Sequence, residues 1–176
     1  MGCPRDRRAV AQGAGGQDAP SLTPHPPLDV EATIHRLGLR PHPEGGFYGE
    51  TFRSPLLLTL PDGRRRSAAT AIHYLLPAGA RSTWHRVASD EVWHHYGGGA
   101  LRLYRLGMEP VRLDPDHPQA VVPAGVWQSA EPEDGAVLVG CTVAPGFEFE
   151  DFVLGEAAQL VAAFPGAEAL IRRLAR

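Results

Sequence analysis

The sequence predicts an all-β domain, either a sandwich or a closed jelly-roll barrel, with a short N-terminal helix and C-terminal helices. The chain has 176 residues, which is about the size of one domain. Its 20 glycines and 17 prolines favour many short strands and turns over long helices. From Gly45 to about Leu154, short segments rich in β-branched and aromatic residues alternate with breaks rich in Gly, Pro or Asp.

Residues 1–27 are predicted to be a disordered tail, and residues 28–176 a single domain. The tail contains many prolines and glycines but no aromatic residue, so it buries too little apolar surface to offset its ordering entropy. One short amphipathic helix follows, because apolar residues recur at helical spacing and Gly38 suits the position after a helix end. Those apolar residues are Val30, Ile34 and Leu37.

The predicted strands lie in GFYGETFRS, SAATAIHYLLP, EVWHHYGG, ALRLYRL, QAVVPAG and AVLVGCTVA. Pro61–Gly63 predicts a turn between two apolar stretches, and residues 64–66, three arginines, are expected to be a solvated turn. The alternating acidic and aromatic residues of GFEFEDF predict a half-exposed strand. The last 21 residues return to helical composition, with a break at Pro165–Gly166.

Composition excludes several classes of function. The net charge of −3 gives no support for nucleic-acid binding, and no apolar run is long enough to cross a membrane. All 17 basic residues are arginine, which excludes Schiff-base chemistry and a Walker-type phosphate loop. The two cysteines make no disulfide framework, so we expect a reducing, cytoplasmic location.

Residues 77–106 carry the densest chemistry. His85 and Glu91 are six positions apart, and a hairpin turn near Ala88–Asp90 would aim both side chains into one barrel. A third ring nitrogen is available from another nearby histidine: His73, His94 or His95. Alternation along the strand places Glu91 with Trp93 and His95 on one face. His94 and Tyr96 share the other face, so both faces carry a histidine and an aromatic ring.

A second segment, residues 121–132, places an amide near these groups. Pro123–Gly125 predicts a tight turn, and Gln128 follows it with the same parity as Val126, so that its side chain could face the interior.

These spacings resemble the two motifs of the cupin superfamily. The first is carried by Gly79, His85, Val87, Glu91 and Gly98, and the second by Pro123–Gly125 with Gln128. The resemblance is closer to a branch of cupin-like domains of unknown function, on the phrases PHPEGGFYGETFRS, HRVASDEVWHHYGG, VVPAGVWQSAEP and LVGCTVAPGFEFEDF. It implies a double-stranded β-helix, the cupin jelly-roll barrel, with a ligand pocket in its mouth.

The sequence departs from the metal-binding pattern that this resemblance implies, three histidines and one glutamate. Val87 stands at the second histidine position and Gln128 at the third, which leaves His85 and Glu91. A divalent ion held by His85, Glu91 and Gln128 is therefore an alternative that we do not favour. The resemblance includes metal-free relatives of sugar-nucleotide epimerases. Without an ion, Glu91 is expected to raise the pKa of His85.

Three functions remain open. The first is a protein that binds a small polar ligand and acts as an acid–base isomerase or epimerase on a sugar or sugar nucleotide. The second is a metal-dependent dioxygenase or isomerase, and the third is a binding module without chemistry. The candidate catalytic residues are His85, Glu91, Tyr48, His94 and His95, and the candidate ligand-binding residues are Gln128, Trp93, Phe47, Glu44 and Tyr96. The expected partners are a small molecule and a second copy of the chain in a homodimer.

Overall fold

Two antiparallel sheets pack against each other in the computed structural model, which describes residues 27–175. The helices are α1 (Val30–Leu37), α2 (Ala157–Ala163) and α3 (Glu168–Leu174). The strands are β1 (Arg40–Pro41), β2 (Phe47–Arg53), β3 (Leu57–Thr59), β4 (Arg65–Ser67), β5 (Thr70–Leu76), β6 (Ser82–Val87), β7 (Asp90–Gly98), β8 (Leu101–Arg105), β9 (Val111–Leu113), β10 (Gln119–Val122), β11 (Gln128–Pro132), β12 (Val137–Ala144) and β13 (Phe152–Leu154).

One sheet has six strands in the order β1-β2-β5-β12-β7-β10, and the other has five in the order β13-β6-β11-β8-β9. Strands β3 and β4 form a separate hairpin around the turn predicted at Pro61–Gly63. Neighbours in each sheet are often far apart in sequence, which is the arrangement of a jelly roll. The all-β prediction is confirmed. The predicted tail lies outside the described residues, apart from Pro27.

The turn near Ala88–Asp90 is not the hairpin that the sequence predicts. Strand β6 pairs with β11 and β13, whereas β7 pairs with β10 and β12, so the chain crosses from one sheet to the other at this point. Both His85 and Glu91 still face the interior, because the two sheets oppose their inner faces. The hairpin prediction failed because local spacing does not distinguish a hairpin within one sheet from a crossover between two sheets.

The interior between the sheets is filled at one end only. Along β12, Val137 and Val139 belong to the apolar core, Cys141 belongs to the core and also lines an open cavity, and Val143 lines that cavity. Along β7, Trp93 belongs to the core and Glu91 to the cavity. The same strands therefore build the packed core at one end and the walls of a cavity at the other.

The helices cover the outside of the barrel. Helix α1 begins at Asp29, whose side chain accepts from Ala32 N at 2.9 Å, and ends at Gly38, whose left-handed φ of +61° suits glycine. At the other end of the chain, α2 and α3 are separated by the break predicted at Pro165–Gly166, here a short 3₁₀ turn. They pack on the five-stranded sheet around Trp84. No helix within residues 27–175 has the length and hydropathy to cross a bilayer.

Residues 147–152, the rim segment, depart from the predicted strand. Phe149–Asp151 form a 3₁₀ turn before β13 begins. Arg66 is 4% exposed and donates to both oxygens of Asp151, at 2.6 and 3.0 Å, and Arg64 also contacts Asp151. The solvated turn expected for the three arginines is therefore wrong for Arg66, because this side chain ties the rim segment to the β3–β4 hairpin.

Candidate functional site

The open end of the barrel holds a cavity of about 310 Å³. Its buried end, the cavity floor, is formed by Glu44, His85, Glu91 and Cys141. Its exposed end, the cavity mouth, carries Arg40, Glu50 and Arg53. The walls between floor and mouth are largely aromatic or aliphatic: His42, Tyr48, Thr70, Ile72, Tyr74, Val87, Val143, Phe147, Glu148, Phe149 and Phe152.

Glu91 is held in place by a chain of side-chain hydrogen bonds. Gln128 Nε2 donates to Glu91 Oε2 at 2.6 Å, and Trp93 Nε1 donates to Gln128 Oε1 at 3.0 Å. Both ends of the amide are thus engaged, and neither Gln128 nor Trp93 lines the cavity. These two predicted ligand-binding residues lie behind Glu91 and position its carboxyl group.

Glu44 lies between two imidazole rings. Its Oε2 is 3.4 Å from His85 Nε2 and 3.4 Å from His42 Nδ1, while Ser82 Oγ donates to its Oε1 at 2.8 Å. The backbone fixes this position, because Thr83 N donates to the Glu44 carbonyl at 2.8 Å. The next residue, Gly45, has a φ of +116°, and a β-carbon there would overlap the Arg81 carbonyl.

The orientation of His85 determines which nitrogen serves the cavity. Its Nδ1 lies 2.9 Å from the Thr83 carbonyl and donates to it, because a carbonyl oxygen is only an acceptor. The lone pair of a neutral imidazole therefore lies on Nε2, which faces Glu44.

Burial controls the protonation of the floor. Loss of solvent raises the pKa of Glu44 and of Glu91 above the usual range of a carboxyl group. The same loss of solvent lowers the pKa of His85, and the attraction of Glu91 only partly offsets it. The expectation of a raised His85 pKa is therefore wrong, because desolvation outweighs the attraction of Glu91. Burial thus shifts the pKa of each of these three groups in the direction of its uncharged form.

The remaining predicted residues are divided between the cavity and the rest of the barrel. Tyr48 lines the cavity, with its ring edge-on to His42 at a centroid distance of 4.6 Å, whereas Phe47 does not line it. His94 faces Thr142 and Gln119 on the outer surface of the six-stranded sheet.

Tyr96 and His95 also lie away from the cavity. Tyr96 is 56% exposed and stacks on His94, with His73 against its edge. His95 Nε2 is 2.9 Å from the Gly99 carbonyl, and the pairing of β7 with β12 skips Tyr96. These two residues and His94, three adjacent positions in the chain, are not brought to the floor.

Sequence reasoning missed His42 as a wall residue and Arg40 as a mouth residue. Two signals were available. His42 precedes Glu44 by two positions, and the proline and two glycines of residues 43–46 predict a turn that holds both side chains close together. The aromatic residues of the rim segment alternate, which indicates one apolar face, although not that this face closes a cavity.

At the mouth, the two arginines have different surroundings. Arg53 donates to both oxygens of Glu50, at 3.0 and 2.8 Å, and to Glu148 at 2.6 Å. Arg40 instead stacks on Tyr48, with its guanidinium carbon 4.8 Å from the ring centroid. One cation is neutralised by two carboxylates and the other lies on an aromatic face.

The donor set does not fit a tightly held transition-metal ion. Both polar ends of Gln128 are engaged by Trp93 and Glu91, and Val87 presents only hydrocarbon to the cavity. Within residues 27–175, no group of three or more His, Cys, Asp or Glu side chains is arranged as a metal site. Three or four such ligands are the usual requirement for zinc, for example.

Comparison with known proteins agrees with this fold. The family described as "Cupin superfamily (DUF985)" matches residues 31–155. The uncharacterized protein YML079W of Saccharomyces cerevisiae is 28% identical over 162 residues, covering 76% of this chain and 79% of the yeast protein.

Solved structures give the same result. A hypothetical protein from Leishmania major superposes with a TM-score of 0.76 at 32% identity, covering 82% of this chain and 97% of that protein. Protein SO0799 from Shewanella oneidensis has a TM-score of 0.75 at 34% identity, with coverage of 83% and 96%. Double-stranded β-helix and cupin barrel domains at 14% identity, with TM-scores of 0.51 and 0.52, share the fold. The predicted double-stranded β-helix is confirmed.

Proposed function

This chain belongs to the DUF985 family of the cupin superfamily, and on that premise we propose that its barrel binds a sugar or sugar derivative and isomerises it by acid–base catalysis. One observation carries the proposal. Glu44 Oε2 and His85 Nε2 lie 3.4 Å apart at the floor of a 310 Å³ cavity. The pKa of the carboxyl group is raised and the pKa of the imidazole is lowered, so an acid and a base face the same ligand.

The proposed reaction is a proton transfer beside a carbonyl group. His85 Nε2 removes a proton from the carbon next to the carbonyl, and the carboxyl group of Glu44 protonates the resulting enolate oxygen. Return of a proton to carbon and loss of the enol proton to Glu44 restore the carbonyl, so no oxidant or co-reactant is needed. Effective acids and bases have pKa values near the working pH, and the shifts at Glu44 and His85 are in that direction.

Glu91 and Tyr48 have supporting roles in this proposal. The hydrogen bond from Gln128 fixes Glu91, which orients a ligand oxygen at the floor. The hydroxyl of Tyr48 has no hydrogen-bond partner within the described chain and lines the cavity wall, where it is available to return a proton to the ligand. In this proposal, Glu44, His85 and Glu91 act from the cavity floor and Tyr48 acts from the wall.

A direct test is solvent exchange catalysed by the protein. We expect deuterium from D₂O to enter the position next to the carbonyl of a bound reducing sugar, as measured by NMR across a panel of hexoses and pentoses. His85→Ala should abolish the exchange, and Glu91→Gln, which changes an orienting group, should slow it. His35→Ala, which changes an exposed histidine on α1, should retain it. Ligand-induced stabilisation without exchange or turnover would support a binding module instead, and loss of exchange in His35→Ala would count against the assignment.

We also propose that the chain is a homodimer. In-register neighbours cross the outer face of the six-stranded sheet in one mostly apolar row: Phe52, Ala71, Thr142, Val92 and Val121. At the two ends of this row, Phe52 is 51% exposed and Val121 is 50% exposed. Contiguous exposed apolar surface of this kind supports a protein interface.

Light scattering tests the dimer. A protomer has a mass of 18.9 kDa, so a dimer should scatter with twice that mass at micromolar concentration. Val121→Arg should shift the mass to that of the monomer, whereas the exposed Val153, outside this row, should tolerate the same change. A wild-type mass of one protomer would overturn the proposal.

A further inference from the structure

Arg40 at the cavity mouth has a fixed orientation and no acceptor. Its guanidinium carbon lies 4.8 Å from the centroid of the Tyr48 ring, and both residues line the cavity. Stacking of this kind uses the face of the guanidinium and leaves its N–H groups at the edge available. No hydrogen bond or ion pair joins those groups to any other residue described here. Arg40 therefore presents a planar fork of donors at the entrance.

Arg53 cannot play this part, although it lies at the same mouth. Three of its nitrogens already donate to Glu50 and Glu148. An incoming anion would have to displace two carboxylates from Arg53 but none from Arg40. The mouth thus offers one uncompensated cation at a defined position.

The interior limits what an anionic ligand can look like. The floor carries Glu44 and Glu91 and, among the described residues, no arginine in contact with them, so an anionic group buried there would have no counter-charge. Ligand cavities commonly run from about 300 to 1,000 Å³, so a volume of 310 Å³ is at the lower end. A monosaccharide fits this size better than a complete sugar nucleotide. Its charged group would then lie at the mouth and its uncharged part at the floor.

From this arrangement we infer that Arg40, stacked on Tyr48, recognises a phosphate or carboxylate group on a monosaccharide whose carbonyl end lies at the floor. This inference rests on the proposed function, because it assumes a ligand that reaches His85. It narrows the substrate class from sugars in general to sugar phosphates or sugar acids. Both anions accept paired hydrogen bonds from a guanidinium fork.

Calorimetry with matched ligands tests the inference. The probes are glucose, galactose and mannose, their 6-phosphates and their uronates, each measured at low and at high salt. We expect the anionic member of at least one set to bind at least about tenfold more tightly than its neutral parent, and the preference to fall with salt. Comparison of the phosphate with the uronate identifies which anion is preferred.

Two variants distinguish the specific role of Arg40 from the effect of losing any exposed arginine. Arg40→Gln should abolish the preference and its dependence on salt. The matched control is Arg86→Gln, because Arg86 also stacks on an aromatic ring, Trp127, at 4.8 Å, but does not line the cavity. The control should retain the preference. Melting temperatures of both variants should match the wild type, since both arginines are exposed.

The outcomes distinguish this inference from the proposed function. Equal affinity for neutral and anionic sugars, retention of the preference in Arg40→Gln, or no binding by any anionic probe at millimolar concentration would overturn the inference. Deuterium exchange into neutral sugars that depends on His85 would leave the proposed function standing in that case. The opposite result is also informative. If anion binding depends on Arg40, is unchanged in His85→Ala and is not accompanied by deuterium exchange, the proposed chemistry is wrong and the anion site is supported.

Discussion

Two regions of this barrel, the cavity floor and the rim segment, each bury carboxyl groups, with opposite consequences for their pKa. At the cavity floor, Glu44 is 6% exposed and Glu91 is 7% exposed; at the rim segment, Asp151 is 8% exposed. Burial raises the pKa of Glu44 and Glu91, whereas hydrogen bonds from Arg66 hold the pKa of Asp151 below its usual range. Nearly equal exposure thus accompanies shifts of opposite sign.

The difference lies in what surrounds each group. Asp151 receives Arg66 on both oxygens and Arg64 on one, so its negative charge is compensated. Glu44 and Glu91 face imidazole, hydroxyl and amide groups, with no arginine in contact. Charge compensation makes the rim carboxylate a structural element. At the floor, where no such compensation is present among the described residues, burial shifts the carboxyl groups towards the protonated form that can donate a proton to a ligand.

Of the variants that compare floor and rim, Glu44→Gln should have the largest effect on deuterium exchange into the ligand. It should separate function from stability. The amide cannot act as an acid, so we expect exchange into the ligand to fall by at least about 100-fold. The melting temperature at neutral pH should not fall, because the amide oxygen still accepts from Ser82 and no charge is buried. A melting temperature of Glu44→Gln as low as that of a rim variant would contradict the proposed difference between floor and rim.

Asp151→Asn should lower stability and leave deuterium exchange intact, which is the reverse of the result expected for Glu44→Gln. It leaves Arg66 without its main counter-charge, so we expect the melting temperature to fall by several degrees. Exchange into saturating ligand should persist, because Asp151 does not line the cavity. A matched control is Glu168→Gln, which breaks the exposed pair with Arg172 and should change the melting temperature little. Equal destabilisation by the two variants would show that burial of the ion pair has no special role.

The two regions should also differ in how pH changes the free energy of unfolding. For Glu44, the unfolded carboxyl group ionises above 4.5 while the folded one keeps its proton. The unfolded state then binds fewer protons, so this group lowers stability as pH rises towards its folded pKa. Glu44→Gln should remove that decline.

For Asp151 the sign is opposite, because its folded pKa lies below the unfolded value of 3.8. Its contribution is complete above the unfolded pKa and is lost as pH falls through the folded pKa. Denaturant titrations across pH should therefore show the difference between wild type and Asp151→Asn shrinking in acid. A constant difference at every pH would contradict the proposed charge compensation.

Tyr48→Phe should have the smallest effect on stability. The ring that supports Arg40 remains and only the hydroxyl is lost, so the free energy of unfolding should change by less than about 0.5 kcal/mol. Exchange should slow if the hydroxyl returns a proton to the ligand, while affinity for anionic sugars is retained. Unchanged exchange would assign Tyr48 to the support of Arg40 alone.

The resemblance of the motifs to the cupin pattern was enough to predict the barrel and to bring His85, Glu91 and Gln128 together, whereas alternation along a strand indicates only which side chains share a face. It did not predict the rim segment. There, GFEFEDF has the pattern of a strand, but Asp151 bonds to Arg66, 85 positions away, and the chain turns to make that contact. The direction of the His85 pKa shift was wrongly predicted for a related reason. The charged neighbour of His85 is visible in the sequence, whereas the burial of His85 results from the packing of both sheets.

The amide of Gln128 has a consequence for protein engineering. An attempt to install a metal centre by Val87→His and Gln128→His would supply two imidazoles. The indole N–H of Trp93 would then lose the acceptor that it has among the described residues, and Glu91 would lose the donor Gln128. An unsatisfied buried donor costs about 1–3 kcal/mol, so the redesigned barrel would begin with a deficit before any ion bound. Replacing Trp93 with phenylalanine in the same variant removes that donor. Such a retrofit therefore needs three coordinated changes, and a two-residue swap should fold less stably than the parent chain.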